Sequence, residues 1–308
     1  MSTEEGSLRS ESIVSGRMRF TKHHGAGNDF LVAMDLDDRQ RLTRDAVRAL
    51  CDRHLGVGAD GVIRVLAGGD GAALTMELWN ADGSRAEMSG NGIRCLAQAA
   101  VGAGAVGQGV ILVATDGGVR RVDYRRAGTP VAGWASVDMG NAGITRVAPE
   151  DVVPTGLAGR ISEAALVDMG NPHLVLIGSR VGEDEVALYG PVLERSVDGG
   201  ANVEFGWAGP GEDEISMLVW ERGVGETLAC GTGTCALAAV AAERGLTSGR
   251  VLVHNPGGTL EVLLPTGPAD GGSSMGGIVL AGPSIMVAEV SVDLGELVKS
   301  RSEAVSAP

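Results

Sequence analysis

Two short runs carry the residue types best suited to moving a proton. In EMSGNGIRC, Ser89 precedes Gly90, Asn91 and Gly92; in ETLACGTGTCA, Cys230 precedes Gly231, Thr232 and Gly233. Each opens a glycine-rich turn before an Ala-rich segment, IRCLAQAAVGAG or TCALAAVAAERG, whose composition and closing glycine predict a helix. The first amides of a helix lack intrahelical acceptors, and the positive end of the helix dipole lies among them. A thiol held there shifts toward thiolate, and the same amides can hold a carboxylate, making an adjacent α-proton easier to remove. Inverting an α-carbon without a cofactor needs a base on one face and an acid on the other. Cys230 suits that task. Ser89 suits it poorly, because a hydroxyl is a far weaker acid than a thiol and EMSGNGIRC offers no neighbouring base.

Other chemistries find little support. The only lysines are Lys22 and Lys299, the second in the polar C-terminal stretch, so a pyridoxal phosphate Schiff base has almost nowhere to form. GVGADG, Gly56 to Gly61, spells the glycine pattern of dinucleotide sites. A helical pattern, TRDAVRALCDRHL, precedes it and an apolar strand, VIRVL, follows, which is the reverse of the order that motif needs. His23, His24, His54 and His254 lack metal-ligand spacing and Cys230 with Cys235 is no zinc pair, so no metal and no cofactor is expected. Cys95 and Cys235 fall inside the predicted helices and read as core. A formal charge of −14 argues against nucleic-acid partners, and no apolar run approaches the roughly 20 residues of a membrane helix. Four cysteines without an export signal point to a reducing, cytoplasmic setting.

What positions the two runs is an internal repeat. LTMELWNADGSRAEMSGNG, from Leu74, aligns without gaps on ISMLVWERGVGETLACGTG, from Ile215, placing Met76 on Met217, Trp79 on Trp220 and Ser89 on Cys230 at an offset of 141 (230 − 89). GNDFLV from Gly27 and GNPHLV from Gly170 repeat at an offset of 143 (170 − 27). Each copy predicts strands around a glycine turn, then a half-buried strand, then the glycine-opened helix. The helices are apolar nearly all round and should be buried. The fold class expected is α+β, with two pseudo-symmetric domains, each a mixed or antiparallel sheet wrapped around a central buried helix. The boundary falls in Ile144 to Gly159, which holds Pro149 and Pro154. The expected units are a disordered tail at 1–16, an N-terminal domain of 17–146 plus 281–297, a C-terminal domain of 147–280, and a tail at 298–308.

The ordered segments HGAGNDF, GADG, NADGS with EMSGNGIRC, MGNPH, NVEF and ERGVGETLACGTGTCA span roughly Phe20 to Ala236, and the chain resembles the diaminopimelate epimerase family through them. The resemblance implies cofactor-independent interconversion of LL- and meso-diaminopimelate by two bases, serving lysine and peptidoglycan synthesis. It also implies an active site between the two domains, a last strand returning to the first, and a homodimer. Carried across, Cys230 matches the second catalytic cysteine and Ser89 stands where the family has its first. Asn28, Asn80, Asn171 and Asn202 match substrate-binding asparagines, Glu221 and Arg222 an acidic and basic pair, and Gly90, Asn91, Gly231 and Thr232 the amides that grip the reacting carboxylate. Arg222 suits the carboxylate of a distal amino-acid head, with Glu221 and the asparagines for its ammonium. His173 lies in GNPH and is expected to line the site. Serine at position 89 leaves three readings open: a substituted form of an ordinary epimerase, a natural variant with slow turnover or another amino acid as substrate, or a substrate-binding pseudo-enzyme.

Overall fold

A computed structural model describes residues 17–265 and 274–306, so the expected tail at 1–16 lies outside the described residues. The first half of the chain forms β1 (Arg17–Gly25), β2 (Asn28–Met34), α1 (Arg44–Cys51), β3 (Gly61–Ala67), β4 (Leu74–Asn80), β5 (Arg85–Ala86), α2 (Gly90–Gly102), β6 (Gly109–Thr115), β7 (Gly118–Arg126) and β8 (Ala132–Val147). The second forms α3 (Pro149–Val152), β9 (Ile161–Asp168), β10 (Pro172–Gly178), α4 (Glu183–Ser196), β11 (Asn202–Ala208), β12 (Glu214–Glu221), β13 (Gly225–Thr227), α5 (Gly231–Glu243), β14 (Arg250–Asn255), β15 (Gly258–Leu263), β16 (Ser274–Asp293) and α6 (Leu294–Ser306). No helix among the described residues is long and apolar enough to cross a membrane.

The strands close into two rings. One runs β1-β2-β3-β4-β6-β7-β8-β16 and returns to β1; the other runs β8-β9-β10-β11-β12-β14-β15-β16 and returns to β8. The pairing sense repeats as well as the order: β2–β3 and β4–β6 are parallel, as are β10–β11 and β12–β14. The repeat seen in the sequence is therefore a repeat of topology. Closure leaves neither ring an open edge, and each ring encloses one helix.

Local chemistry accounts for the elements that matter. Leu74, Met76 and Leu78 alternate inward along β4, as Ile215, Met217 and Val219 do along β12. Ala26 and Gly27, both with positive φ, make the two-residue turn that joins β1 to β2. In α2 every residue from Gly90 to Val101 is buried, the polar Asn91, Arg94 and Gln98 included, each with its side chain hydrogen-bonded, because the helix is surrounded on all sides. Leu96 of α2 and Leu237 of α5 belong to one continuous core.

Two expectations about boundaries need correction. The handover between the halves begins a few residues before the expected Ile144 to Gly159, inside β8, whose Gly133 to Val137 pair with β7 and whose Gly143 to Val147 pair with β9. The ladder, rather than Pro149 or Pro154, carries the chain across. The expected tail from residue 298 is instead helical through Ser306, because Leu294 is buried, Leu297 packs against the same cluster, and the Arg301 Nε lies 3.4 Å from Asp52.

Because β8 and β16 belong to both rings and the core is continuous, Leu96→Ala and Leu237→Ala should each cost about 2–5 kcal/mol while leaving one unfolding transition. Urea titration followed by far-ultraviolet circular dichroism and tryptophan fluorescence checks this. Two separated transitions in either variant contradict the shared-core account.

Candidate functional site

The starts of α2 and α5 meet head to head. A Cβ built on Gly231 would lie 3.4 Å from Gly90 Cα and 3.6 Å from the Asn91 nitrogen, so the two starts approach to within van der Waals contact. Leu280 of the shared strand β16 packs beneath both glycines. Ser89 and Cys230 are the N-cap residues: Ser89 Oγ accepts from Gly92 N at 3.1 Å, and Cys230 Sγ accepts from Gly233 N at 3.4 Å. The loop before Cys230 and the β14–β15 turn are pressed onto the β1–β2 turn, with Leu228 against Gly27 and Gly257 against Ala26. A groove of about 640 Å³ lined by Arg180, Trp207, Met217 and His254, with the start of α4, opens elsewhere, and no residue of the α2 or α5 start lines it.

The asparagines form matching bridges. Asn28 Oδ1 accepts from Asn91 Nδ2 at 3.2 Å, and Asn171 Nδ2 donates to Thr232 Oγ1 at 3.4 Å, so each hairpin asparagine reaches the second residue of its own half's helix. Asn91 also donates to the Ala229 carbonyl at 3.2 Å, tying the first half to the loop that carries Cys230. What backs each asparagine differs. Asn28 Nδ2 donates to Asp60 at 2.8 Å, whereas Asn171 Oδ1 faces His173 Nε2 at 3.1 Å. The His173 Nδ1 lies 2.7 Å from Glu204 Oε1, with both side chains fully buried. The His173 ring thus bridges Glu204 and Asn171, with each ring nitrogen within hydrogen-bond distance of an oxygen.

The remaining expected residues stand further out. Asn202 Oδ1 accepts from the Arg222 backbone amide at 2.9 Å, and Glu221 Oε1 accepts from Thr227 Oγ1 at 2.5 Å. The exposed Arg222 guanidinium donates to the carbonyls of Gly199 and Gly200 at 3.1 and 3.3 Å. Asn80 is also exposed and bonds Ser84 Oγ at 3.0 Å; it occupies the repeat position of Glu221 (80 + 141).

One electrostatic expectation is overturned. The helix start does not draw Cys230 toward thiolate: burial raises its pKa well above the ordinary thiol range, and the charges of Glu221 and Glu204 raise it further. Contacts from Thr232 and the Gly233 amide pull the other way and lose. Burial also raises Glu221, with Thr227 opposing and Glu204 adding to the shift. The resting site therefore holds a protonated thiol.

Glu204 and Asp60 were not singled out from sequence, although NVEF and GADG contain them. The ladder register shows what was available. Phe30 pairs with Gly61 in the first half and His173 with Asn202 in the second, so Phe30 and Ile63 stand where His173 and Glu204 do. A charge in one copy against an apolar residue in the other was the readable signal.

Comparison with known proteins finds relatives over most of the chain. The sequence pattern of the family described as diaminopimelate epimerase matches residues 20–145 and 165–279. Diaminopimelate epimerase of Corynebacterium glutamicum is 40% identical over 281 residues, covering 87% of this chain and 96% of its own length. That of Synechocystis is 39% identical over 276 residues, covering 82% and 96%. Among solved structures, a hydroxyproline epimerase from Agrobacterium vitis superposes with a TM-score of 0.66 at 18% identity, covering 90% of this chain and 92% of its own. A predicted epimerase from Pseudomonas aeruginosa gives 0.64 at 18% identity, covering 89% and 99%. At such identities the structural matches establish the α+β fold.

Since a neighbouring carboxylate helps hold the Cys230 proton, Glu221→Gln should lower the thiol pKa. Alkylation of Cys230 by iodoacetamide, followed by peptide mass spectrometry across pH 7 to about 10, a range around the free-thiol value, should then begin at a lower pH in the variant. An unchanged or higher onset contradicts this electrostatic assignment.

Proposed function

The chain belongs to the diaminopimelate epimerase family and is an isomerase of the epimerase type, and from that premise we propose that it converts LL-diaminopimelate to meso-diaminopimelate by proton transfer on two opposed faces, without a cofactor. The observation that carries this reading is the head-to-head meeting of two helix starts whose N-cap residues, Ser89 and Cys230, are related by the repeat. A planar carbanion between them meets one group on each side. Amides of Gly90, Asn91, Gly231 and Thr232 hold the reacting carboxylate and the charge that spreads onto it once the α-proton leaves. Arg222 and Glu221, with Asn28, Asn80, Asn171 and Asn202, receive the distal amino-acid head.

Direction follows from protonation. Cys230 rests as a thiol, so it is the acid that delivers a proton to the α-carbon after the group on the opposite face has removed one. The Ser89 hydroxyl accepts a hydrogen bond from Gly92, and a hydroxyl without a base to take its proton is a poor base itself. Turnover should fall by 10²–10⁴ or more, the range attributed to one positioned acid or base. The same observation favours a second reading, in which the pocket is kept for binding alone.

Stereochemical conversion of LL-diaminopimelate, followed by chiral chromatography, separates these. Ser89→Cys should raise the rate by at least about 10²-fold over the chain as it stands. If both forms bind the substrate and neither converts it, the binding reading takes precedence. Fast turnover by the unsubstituted chain contradicts the role given to Ser89.

A further inference from the structure

Among the described residues, Arg94 is the one fully buried arginine whose contacts are all to neutral oxygens. Its side chain is completely inaccessible, yet no carboxylate lies within ion-pair distance of it among the described residues. Nη1 donates to the Gly90 carbonyl at 3.0 Å, Nη2 to Asn91 Oδ1 at 2.9 Å, and Nε to the Pro283 carbonyl at 3.4 Å. Room for it is reserved in the backbone, since a Cβ on Gly25 would come within 2.9 Å of Nη2. The contrast with Arg64 is direct: that guanidinium, also buried, is paired with Asp35, Asp38 and Glu77. Burial lowers the Arg94 pKa to about 10, so it remains charged at neutral pH. A buried cation without a counter-ion is costly, and it is relieved when an anion arrives close by.

The peptide that joins Gly90 to Asn91 links this cation to the helix start. Its carbonyl accepts from Arg94, and its N–H is one of the first-turn amides that lack an intrahelical acceptor. A cation on the carbonyl oxygen draws electron density from the peptide and makes the N–H on its other end a stronger donor. By holding Asn91 Oδ1, Arg94 also turns Asn91 Nδ2 toward Asn28 and Ala229, fixing the bridge between the halves. The position is specific to one half, because the repeat places the neutral Cys235 at the equivalent site in α5 (94 + 141).

We infer that Arg94 is a positioning residue for the reacting carboxylate, a buried guanidinium that polarises the Gly90–Asn91 peptide so that its amide binds the carboxylate and steadies the charge that develops on it. This rests on the epimerase reading given above and adds to it a bias: the carboxylate is drawn toward the α2 start, away from the carboxylates beside Cys230. Field strength at that amide matters more in the transition state than in the bound substrate. Loss of Arg94 should therefore lower the rate constant at saturation more than it lowers affinity.

The test compares the unsubstituted protein with Arg94→Met and Arg94→Lys, measuring diaminopimelate affinity by calorimetry and α-deuterium uptake from D₂O at saturating substrate. Arg94→Met should lose roughly tenfold in affinity and about 10²-fold in exchange, the scale of one lost anion-hole donor. Arg94→Lys, the variant more certain to fold, should bind well at pH 6 to 7 and weaken as pH rises toward about 9. A buried lysine loses its proton there, whereas arginine does not. Over that range the unsubstituted protein is the control, and a purely structural role moves stability without this pH dependence. If the unsubstituted protein binds diaminopimelate while Arg94→Lys follows its pH profile, or Arg94→Met stays within twofold in both readouts, the inference is overturned and the epimerase reading stands. If the unsubstituted protein binds no diaminopimelate, the epimerase reading falls and this inference with it.

Discussion

Two helix N-termini do not meet without something holding them together. Each carries roughly half a positive charge from its aligned peptides, and two such ends a few ångströms apart repel by about 1 kcal/mol at an effective dielectric of 20. Here the repulsion is small beside the burial of two helices in closed rings that share β8 and β16, with Leu280 of β16 wedged beneath both glycine starts. The result is a concentration of amides with no acceptor of their own at the junction of the halves. An anion with a flat, charge-accepting neighbour is what such a place stabilises, and a carboxylate attached to a carbon losing its proton fits that description.

Symmetry of backbone sets the two faces, and asymmetry of side chains gives them different tasks. Arg94 lies behind the start of α2, while the buried Glu204 and His173 lie behind that of α5. Glu204 occupies space that only Gly233 leaves open, since a Cβ there would fall 2.3 Å from its Oε1. Its second oxygen, Oε2, has no hydrogen-bond partner among the described residues. A positive side and a negative side thus face each other across the pseudo-twofold. Burial, reinforced by the negative charge beside it, keeps the Cys230 thiol protonated, and positive charge beside the other helix draws the carboxylate. Serine at position 89 weakens the face on which a resting base is needed.

Much of this was legible in the sequence for a physical reason. A repeat preserves what both copies need, so Met76 with Met217, Trp79 with Trp220, and the glycines after Ser89 and Cys230 exposed the architecture and the centre together. The two-ring closure was not legible, because it depends on β8 and β16 pairing across about 140 residues, where no local pattern speaks. The Cys230 proton affinity was misjudged because a helix start was weighed without the burial and the two carboxylates that tertiary structure brings beside it. Arg94 and Glu204 were overlooked within apolar runs, although each differs in charge from its repeat counterpart, Cys235 and Ile63. The final helix was lost because Leu294 and Leu297 make sense as core only once α1 is in place to receive them.

The most direct test of two unlike faces is to incubate the unsubstituted protein separately with LL- and meso-diaminopimelate in D₂O and follow α-deuterium by mass spectrometry alongside configuration. Because Ser89 is a poor base, the proton removal left to the site is by the small thiolate fraction of Cys230, so the account predicts that label enters the isomer whose α-hydrogen faces Cys230, slowly but well ahead of the other, and mainly with retention. Equal labelling of both isomers with rapid inversion would contradict it.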